Sequence, residues 1–207
     1  MSYLLRFDGV NDNVRLDNNL SLGTVGDYLE IDLALAAGRV TILGSYTSGY
    51  GSIFERQADE STWRLRSAAS GTVYTLTAPS ASGRTTVRIQ KTATGYELFF
   101  DGVSQGEFAD TGVFQPNMLG GWAGGAAIDG EWDLYYLTHN QSSVDVSTLD
   151  PSATGGVGSV LEDTAGTNDG TLTNFPTNNS QWLLAISDWS HYVTIPESYS
   201  PSSSITG

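Results

Sequence analysis

Cysteine is absent from the 207-residue chain, which excludes a disulfide framework and any thiolate metal site or cysteine nucleophile. Lysine occurs once, as Lys91, and no basic residue follows it. All nine basic residues lie at or before that position, where nine acids balance them, so the entire net charge of −14 arises from residues 92–207. Such a field repels phosphate backbones and anionic lipid, so neither nucleic acid nor a membrane surface is an expected partner. A basic protein surface or bound cations would be favoured, although an acidic surface also serves solubility alone. No apolar run approaches the 18 residues of a membrane span. The chain enters Tyr3-Leu4-Leu5-Arg6-Phe7 without a basic segment leading into an apolar core, so no signal peptide is expected. An exported form would then need another route, such as release by lysis, which fits as well as a cytoplasmic role. The two histidines, His139 and His191, have no ligand spacing, which gives no support to a zinc site or a nucleophilic triad.

What is present is punctuation and alternation. The 24 glycines, with abundant serine and threonine, suit short strands joined by turns. Phe-Asp-Gly-Val occurs twice, at Phe7–Val10 and Phe100–Val103, and Asp-Gly between apolar runs is a strong hairpin signal. Leu4 to Asp17 reads as a strand broken near Gly9 to Asp12. Tyr28 to Leu33 alternates Leu29, Ile31 and Leu33 with Glu30 and Asp32, as a half-buried strand does. Val40–Leu43, Ser52–Glu55, Thr62–Ser67 and Val73–Thr77 follow at the spacing of a sandwich or barrel. Thr86–Lys91, a turn at Thr94-Gly95 and Tyr96–Phe100 form the clearest hairpin. Met118–Gly121 and Glu131–Leu137 flank a Gly/Ala-rich loop. Ser147 to Gln181 reads as mostly loop with room for one short strand, and Trp189 to Ile195 as a last strand stopped by Pro196.

In this order the segments resemble the laminin G-like (LamG) domain, a concanavalin A-like lectin and glucanase jelly roll. The matching pieces are Leu5 to Val14, the hairpin closing on Tyr96 to Val103, Leu119-Gly120-Gly121 leading to Gly130-Glu131-Trp132-Asp133, and Thr167 to Pro176, the last like modules of bacterial and phage surface proteins. The resemblance covers residues 3 to 183. It implies an all-β antiparallel sandwich over residues 1–183, with residues 184–207 as a C-terminal strand or arm that closes the same domain or contacts a neighbour. It also implies rim loops that in many relatives bind glycans, often with calcium. Two departures matter. Leu134-Tyr135-Tyr136-Leu137 is apolar at every position, so either both faces of that strand are buried in the sandwich or its outer face meets a neighbour, with Leu134 and Tyr136 as interface candidates. The tail His191 to Pro196 resembles the opening strand of another such module. It is a last strand pairing near the first, or one donated to a neighbour, with Tyr192 and Ile195 as contacts.

Glucanases of the superfamily carry Glu-x-Asp-x-Glu on one strand. Here Glu30-Ile31-Asp32-Leu33-Ala34 and Glu131-Trp132-Asp133-Leu134-Tyr135 each lack the third carboxylate, so an enzyme is not expected. Asn11, Asp12, Asn168 and Asp169 are oxygen donors suited to calcium, though such residues in turns ordinarily bond the backbone. The run Gly120 to Gly125 lacks the lysine and helix of a phosphate loop. Sugar rings stack their C–H faces on exposed aromatics; Tyr46, Tyr50 and Trp122, in Gly/Ser-rich loops, are the glycan-contact candidates, whereas Trp63 alternates with Leu65 and reads as core. The expectation is a non-catalytic adhesion or decoration module on the surface of a phage or virus particle, homo-oligomeric or bound to other virion proteins, that contacts a cell-surface glycan. A carbohydrate-binding module of a secreted, extracellular bacterial protein and a purely structural virion protein are the alternatives.

Overall fold

The structure is a computed structural model that describes residues 2–46, 51–68, 71–81, 83–121 and 130–185. Its strands are β1 (Tyr3–Phe7), β2 (Asn13–Leu16), β3 (Tyr28–Leu35), β4 (Val40–Gly44), β5 (Ile53–Arg56), β6 (Thr62–Arg66), β7 (Tyr74–Thr77) and β8 (Gly83–Lys91). They continue as β9 (Tyr96–Phe100), β10 (Val103–Phe108), β11 (Met118–Leu119), β12 (Trp132–Gln141), β13 (Val144–Leu149), β14 (Val160–Leu161), β15 (Gly170–Thr173) and β16 (Trp182–Leu184).

The strands form two eight-stranded antiparallel sheets. Sheet I runs β10-β9-β8-β3-β12-β1-β16, with β13 also on β12; sheet II runs β14-β15-β2-β11-β4-β5-β6-β7. Period-2 alternation decides which residues face inward. In β3, Leu29, Ile31 and Leu33 are fully buried, and in β8 the same holds for Val87 and Ile89. Aromatic rings fill the space between the sheets. Phe7 stacks on its sheet I neighbour Trp132 with ring centroids 4.1 Å apart, and Trp63 of sheet II, buried as its alternation predicts, packs on Phe54 of its own sheet and reaches across to Phe100 of sheet I. The all-β sandwich expected from the sequence is the fold observed.

The two Asp-Gly copies do different things. At Phe100–Val103 the motif turns the β9–β10 hairpin, with Asp101 and Gly102 both at positive φ (48° and 79°), as a primed turn requires. At Phe7–Val10 there is no hairpin: β1 pairs with β12 and β16 in sheet I, β2 pairs with β11 and β15 in sheet II, and the motif carries the chain between sheets. The region from Ser147 to Gln181 also holds more structure than its composition suggests, since it contains β14, β15 and the end of β13. Asp163 nucleates the intervening turn by accepting the N–H groups of Thr148, Ala165, Gly166 and Asn168. The expected strand at Trp189–Ile195 lies outside the described residues.

Tyr96 locks one end of the sandwich. Its buried hydroxyl accepts the Phe114 N–H at 2.8 Å and donates to the Gly112 carbonyl at 2.5 Å, and burial pushes its phenol up to about 12. Tyr96→Phe keeps the ring but orphans a buried N–H. It is expected to cost about 1–2 kcal/mol in urea unfolding, and a loss within error of zero would show that the hydroxyl has no such role.

Candidate functional site

Strand β12 is bordered on one edge by β3 along its length and on the other by two different strands. Residues Trp132, Asp133 and Leu134 pair with β1, whereas Leu137 to Gln141 pair with β13. The edge therefore forks at Tyr135 and Tyr136. At the same point β12 is bulged against β3: Leu134 faces Leu33 and Tyr136 faces Asp32, leaving Tyr135 as the extra residue. A bulge shifts the alternation by one, so both tyrosines emerge on the outer face while Leu134 and Leu137 point inward.

This resolves the run of four apolar residues. Leu134 is fully buried within the chain's own core, so it is not available as the interface residue its sequence context suggested. Tyr136 does lie on the outer face, half-buried, with its hydroxyl 3.4 Å from a Glu30 oxygen. Burial, and then the negative charges of Glu30 and Asp32, raise its phenol above the usual tyrosine range.

The fork opens a cleft of about 340 Å³ lined by Tyr3, Tyr135, Tyr136, Arg84, Thr148, Asp150 and Ser152, with Ser2 and Ala185 at its edge. Hydrogen bonds tie its walls together. Ser152 accepts the Tyr3 N–H at 3.0 Å, Asp150 accepts the Ser152 N–H at 2.7 Å, and Ser2 accepts the Ala185 N–H at 2.8 Å. The floor is held by charge. Arg84 grips Asp32 through Nε (2.9 Å) and Nη2 (2.6 Å), and its guanidinium lies 4.0 Å from the centre of the Tyr135 ring. The hydrogen bond to Asp32 holds the Arg84 guanidinium above its ordinary value. Beside it Arg88 binds Glu30 at 2.8 Å and Arg6 binds Asp133 at 2.8 Å. Each arginine on this face thus has a carboxylate partner, and the tyrosine rings rest on a rigid floor whose charges are paired.

Those partners also account for the glucanase-like echoes. Glu30, Asp32 and Asp133 all lie on the outer face, and each is tied into a guanidinium; the exposed Glu131 precedes β12. The oxygen donors named for calcium lie in two separate turns, where Asn168, Asp169 and one oxygen of Asp12 bond to the chain itself. Asn168 bonds both the N–H and the carbonyl of Asn18, Asp169 accepts the Asp163 N–H, and Asp12 accepts the Asp8 N–H. Among the described residues there is no group of three or more histidine, aspartate or glutamate side chains placed to hold a metal. His139 is buried, its Nε2 3.0 Å from the Ser21 carbonyl, and burial lowers its imidazole below the usual range.

Of the glycan-contact candidates, Tyr46 is 38% exposed and stands at sheet II, away from the cleft, with the Arg15 guanidinium 3.9 Å from its ring centre and its N–H bonded to the Asn117 amide oxygen at 2.8 Å. Tyr50 and Trp122 lie outside the described residues, as do Tyr192 and Ile195. Sequence reasoning missed Tyr3 and Tyr135, because the first opens β1 with nothing local to mark it and the second acquires its exposure from the bulge. The one signal was the broken alternation of Leu134 to Leu137.

No protein-family model matches the chain, and no curated protein sequence resembles it closely enough to count as a relative. Solved structures do. The chain is similar to a protein of Bacteroides ovatus ATCC 8483 to which carbohydrate binding has been ascribed, with a TM-score of 0.55 and 12% identity over 84% of this chain and 58% of that one. It thus spans little more than half of that protein's length. An alginate lyase of polysaccharide lyase family 7 (TM-score 0.38, 11% identity, 58% of this chain and 62% of that one) and the galectin LEC-6 of Caenorhabditis elegans (0.36, 14%, 60% and 95%) superpose too loosely to bear on the argument. At such identities the likeness establishes the fold alone, an all-β antiparallel sandwich.

Proposed function

We propose that this chain is a non-catalytic, LamG-like carbohydrate-binding module whose glycan site is the cleft at the fork of sheet I. The observation that carries the reading is the bulge of β12, which sets Tyr135 and Tyr136 side by side with Tyr3, Thr148, Asp150 and Ser152 around them. Sugar recognition needs an apolar ring face for the pyranose C–H groups and fixed polar groups for the hydroxyls, and the cleft has both, the tyrosines and Thr148 on strands and Asp150 and Ser152 in the turn after β13. The ascription of carbohydrate binding to the Bacteroides ovatus protein supports the same reading. A shallow cleft of this size binds weakly as a single site, so a surface adhesion or decoration role on a phage or virus particle, in repeated copies, would convert weak affinity into avidity. That setting rests on sequence features, and a module of a secreted bacterial protein fits the cleft equally.

The test is a glycan array on the purified chain, with calcium and again with chelator, followed by calorimetry on the best neutral ligand. Tyr135→Ala is expected to weaken binding at least tenfold without changing the circular dichroism spectrum, because the ring is half-buried on the outer face and outside the core. Undiminished affinity in Tyr135→Ala and Tyr136→Ala would remove the cleft as the site. Loss of binding on chelation would place a cation in it. Light scattering on the same sample separates a lone module from a subunit of an assembly.

A further inference from the structure

The cleft at the fork of sheet I has a sign of charge. Among the described residues its lining holds two charged side chains, Arg84 and Asp150. Arg84, the group that would receive an anionic sugar, is engaged: its Nε and Nη2 bond Asp32 at 2.9 and 2.6 Å, so the two charges cancel on the floor of the cleft. Arg88 and Glu30 beside them cancel in the same way. No cationic side chain among the described residues pairs with Asp150. The cleft therefore carries one net negative charge, in a chain whose acids outnumber its bases 23 to 9.

That carboxylate is placed by the backbone around it. Asp150 follows Thr148 by two residues, and both line the cleft with Tyr135 and Tyr136, as alternation requires of residues on one face. The Asp150 carbonyl accepts the N–H groups of Ala153 (3.1 Å) and Thr154 (3.4 Å), and its Oδ1 accepts the Ser152 N–H at 2.7 Å. The turn so formed is pinned across the fork. Ser152 Oγ accepts the Tyr3 N–H, and the Tyr3 ring lies so close over Gly156 that a Cβ there would meet it at 2.4 Å. Oδ1 is committed to the turn, whereas Oδ2 accepts no bond among the described residues. A carboxylate oxygen held in place beside two tyrosine rings needs little further ordering to bind a ligand.

From this geometry we infer that the cleft selects sugars bearing a free amine, the ammonium group bonding Asp150 while the pyranose ring rests on Tyr135 and Tyr136. The inference rests on the reading of the cleft as the glycan site. An ammonium donates up to three N–H groups, and its charge-assisted bonds to a carboxylate are roughly twice as strong as neutral ones. The negative faces of tyrosine rings attract the same cation. An N-acetyl group removes that charge. A uronic acid meets Asp150 with like charge and finds Arg84 already bound to Asp32.

The experiment compares, by calorimetry at pH 5.5 and 8.5, tetramers of glucosamine and of N-acetylglucosamine, which share one backbone and linkage, with tetragalacturonate. The glucosamine tetramer is expected to bind at least tenfold more tightly than the other two at pH 5.5. Its advantage over the N-acetylated form should fall below threefold at pH 8.5, where the amine has lost its proton. Asp150→Asn keeps an acceptor for the Ser152 N–H and is expected to remove the advantage with the fold intact. Glu131→Gln, which neutralises an exposed acid outside the cleft lining, should leave it unchanged, so general attraction to an acidic chain is told apart from the site. No preference for the amine at pH 5.5, a full preference in Asp150→Asn, or equal losses in Asp150→Asn and Glu131→Gln would each overturn the inference. If the preference is absent while Tyr135→Ala still weakens binding of a neutral glycan, the cleft stands as the glycan site and only its selectivity for amines falls. Undiminished binding of every sugar in Tyr135→Ala removes both.

Discussion

Replacing Arg56 with alanine is expected to destabilise the protein by about 3–5 kcal/mol in urea unfolding at neutral pH. Arg56 is fully buried, inward-facing on β5 beside Phe54, and donates to backbone carbonyls of two connections that close one end of the sandwich. Nη1 reaches the Ser80 carbonyl at 2.8 Å, and Nη2 reaches those of Gly38, at 2.8 Å, and Ala36. These carbonyls have left the strand ladders, and in a dry interior an unmet carbonyl costs about as much as a lost hydrogen bond. Burial lowers the pKa of the guanidinium, yet arginine stays charged, so the group keeps every donor. Arg56→Lys keeps the charge but gathers its donors on one nitrogen, which cannot span Ser80 and Ala36 together, and is expected to lose most of the same stability. A lysine variant as stable as the parent would show that charge, not the forked geometry, is what matters.

Asp12→Asn is expected to stabilise the protein at pH 7.5 by about 2–3 kcal/mol and to leave it nearly unchanged at pH 4. Asp12 is only 1% exposed, and its Oδ1 has no hydrogen-bond partner among the described residues. Burial, with the nearby Asp8 carboxylate adding to it, pushes its carboxyl up to about 6 from 3.8, even though the Asp8 N–H donated to Oδ2 works the other way. The folded-state value is the higher one. Its stabilising contribution is therefore complete below pH about 4, where the carboxyl is protonated in both states, and is lost as pH rises through 6, where folding must bury a charge. Asparagine imitates the protonated form, with an amide that can donate toward Asp8. Unfolding free energies for both proteins at pH 4, 5.5 and 7.5 measure the difference. Parallel pH profiles would mean that Asp12 ionises without penalty.

Identical tetrapeptides mark the limit of local reading. Phe-Asp-Gly-Val makes a hairpin at Phe100–Val103, where alternating strands continue on both sides. At Phe7–Val10 it makes a crossover, although Gly9 shares the positive φ of Gly102 (76° and 79°). The difference is supplied from far along the chain: a Cβ on Gly9 would lie 2.7 Å from the Gly130 backbone, and Asn174 donates to the Asn11 carbonyl. Glycine permits the bend in both places, and tertiary contacts decide where it leads.

By itself the sequence determined the all-β class, the strands with clean alternation, the β8–β9–β10 hairpins, the burial of Trp63 and the partial nature of the glucanase echoes. Each depends on residues within one strand or turn of each other, where period and permitted φ suffice. Only the tertiary structure decided the fork at Tyr135 and Tyr136, the inward turn of Leu134, and the pairing of Glu30 and Asp32 with arginines of β8. Those depend on which strands become neighbours and in what register. Backbone pairing sets that across separations of fifty residues or more, such as the 58 positions between Glu30 and Arg88, and no local pattern encodes it.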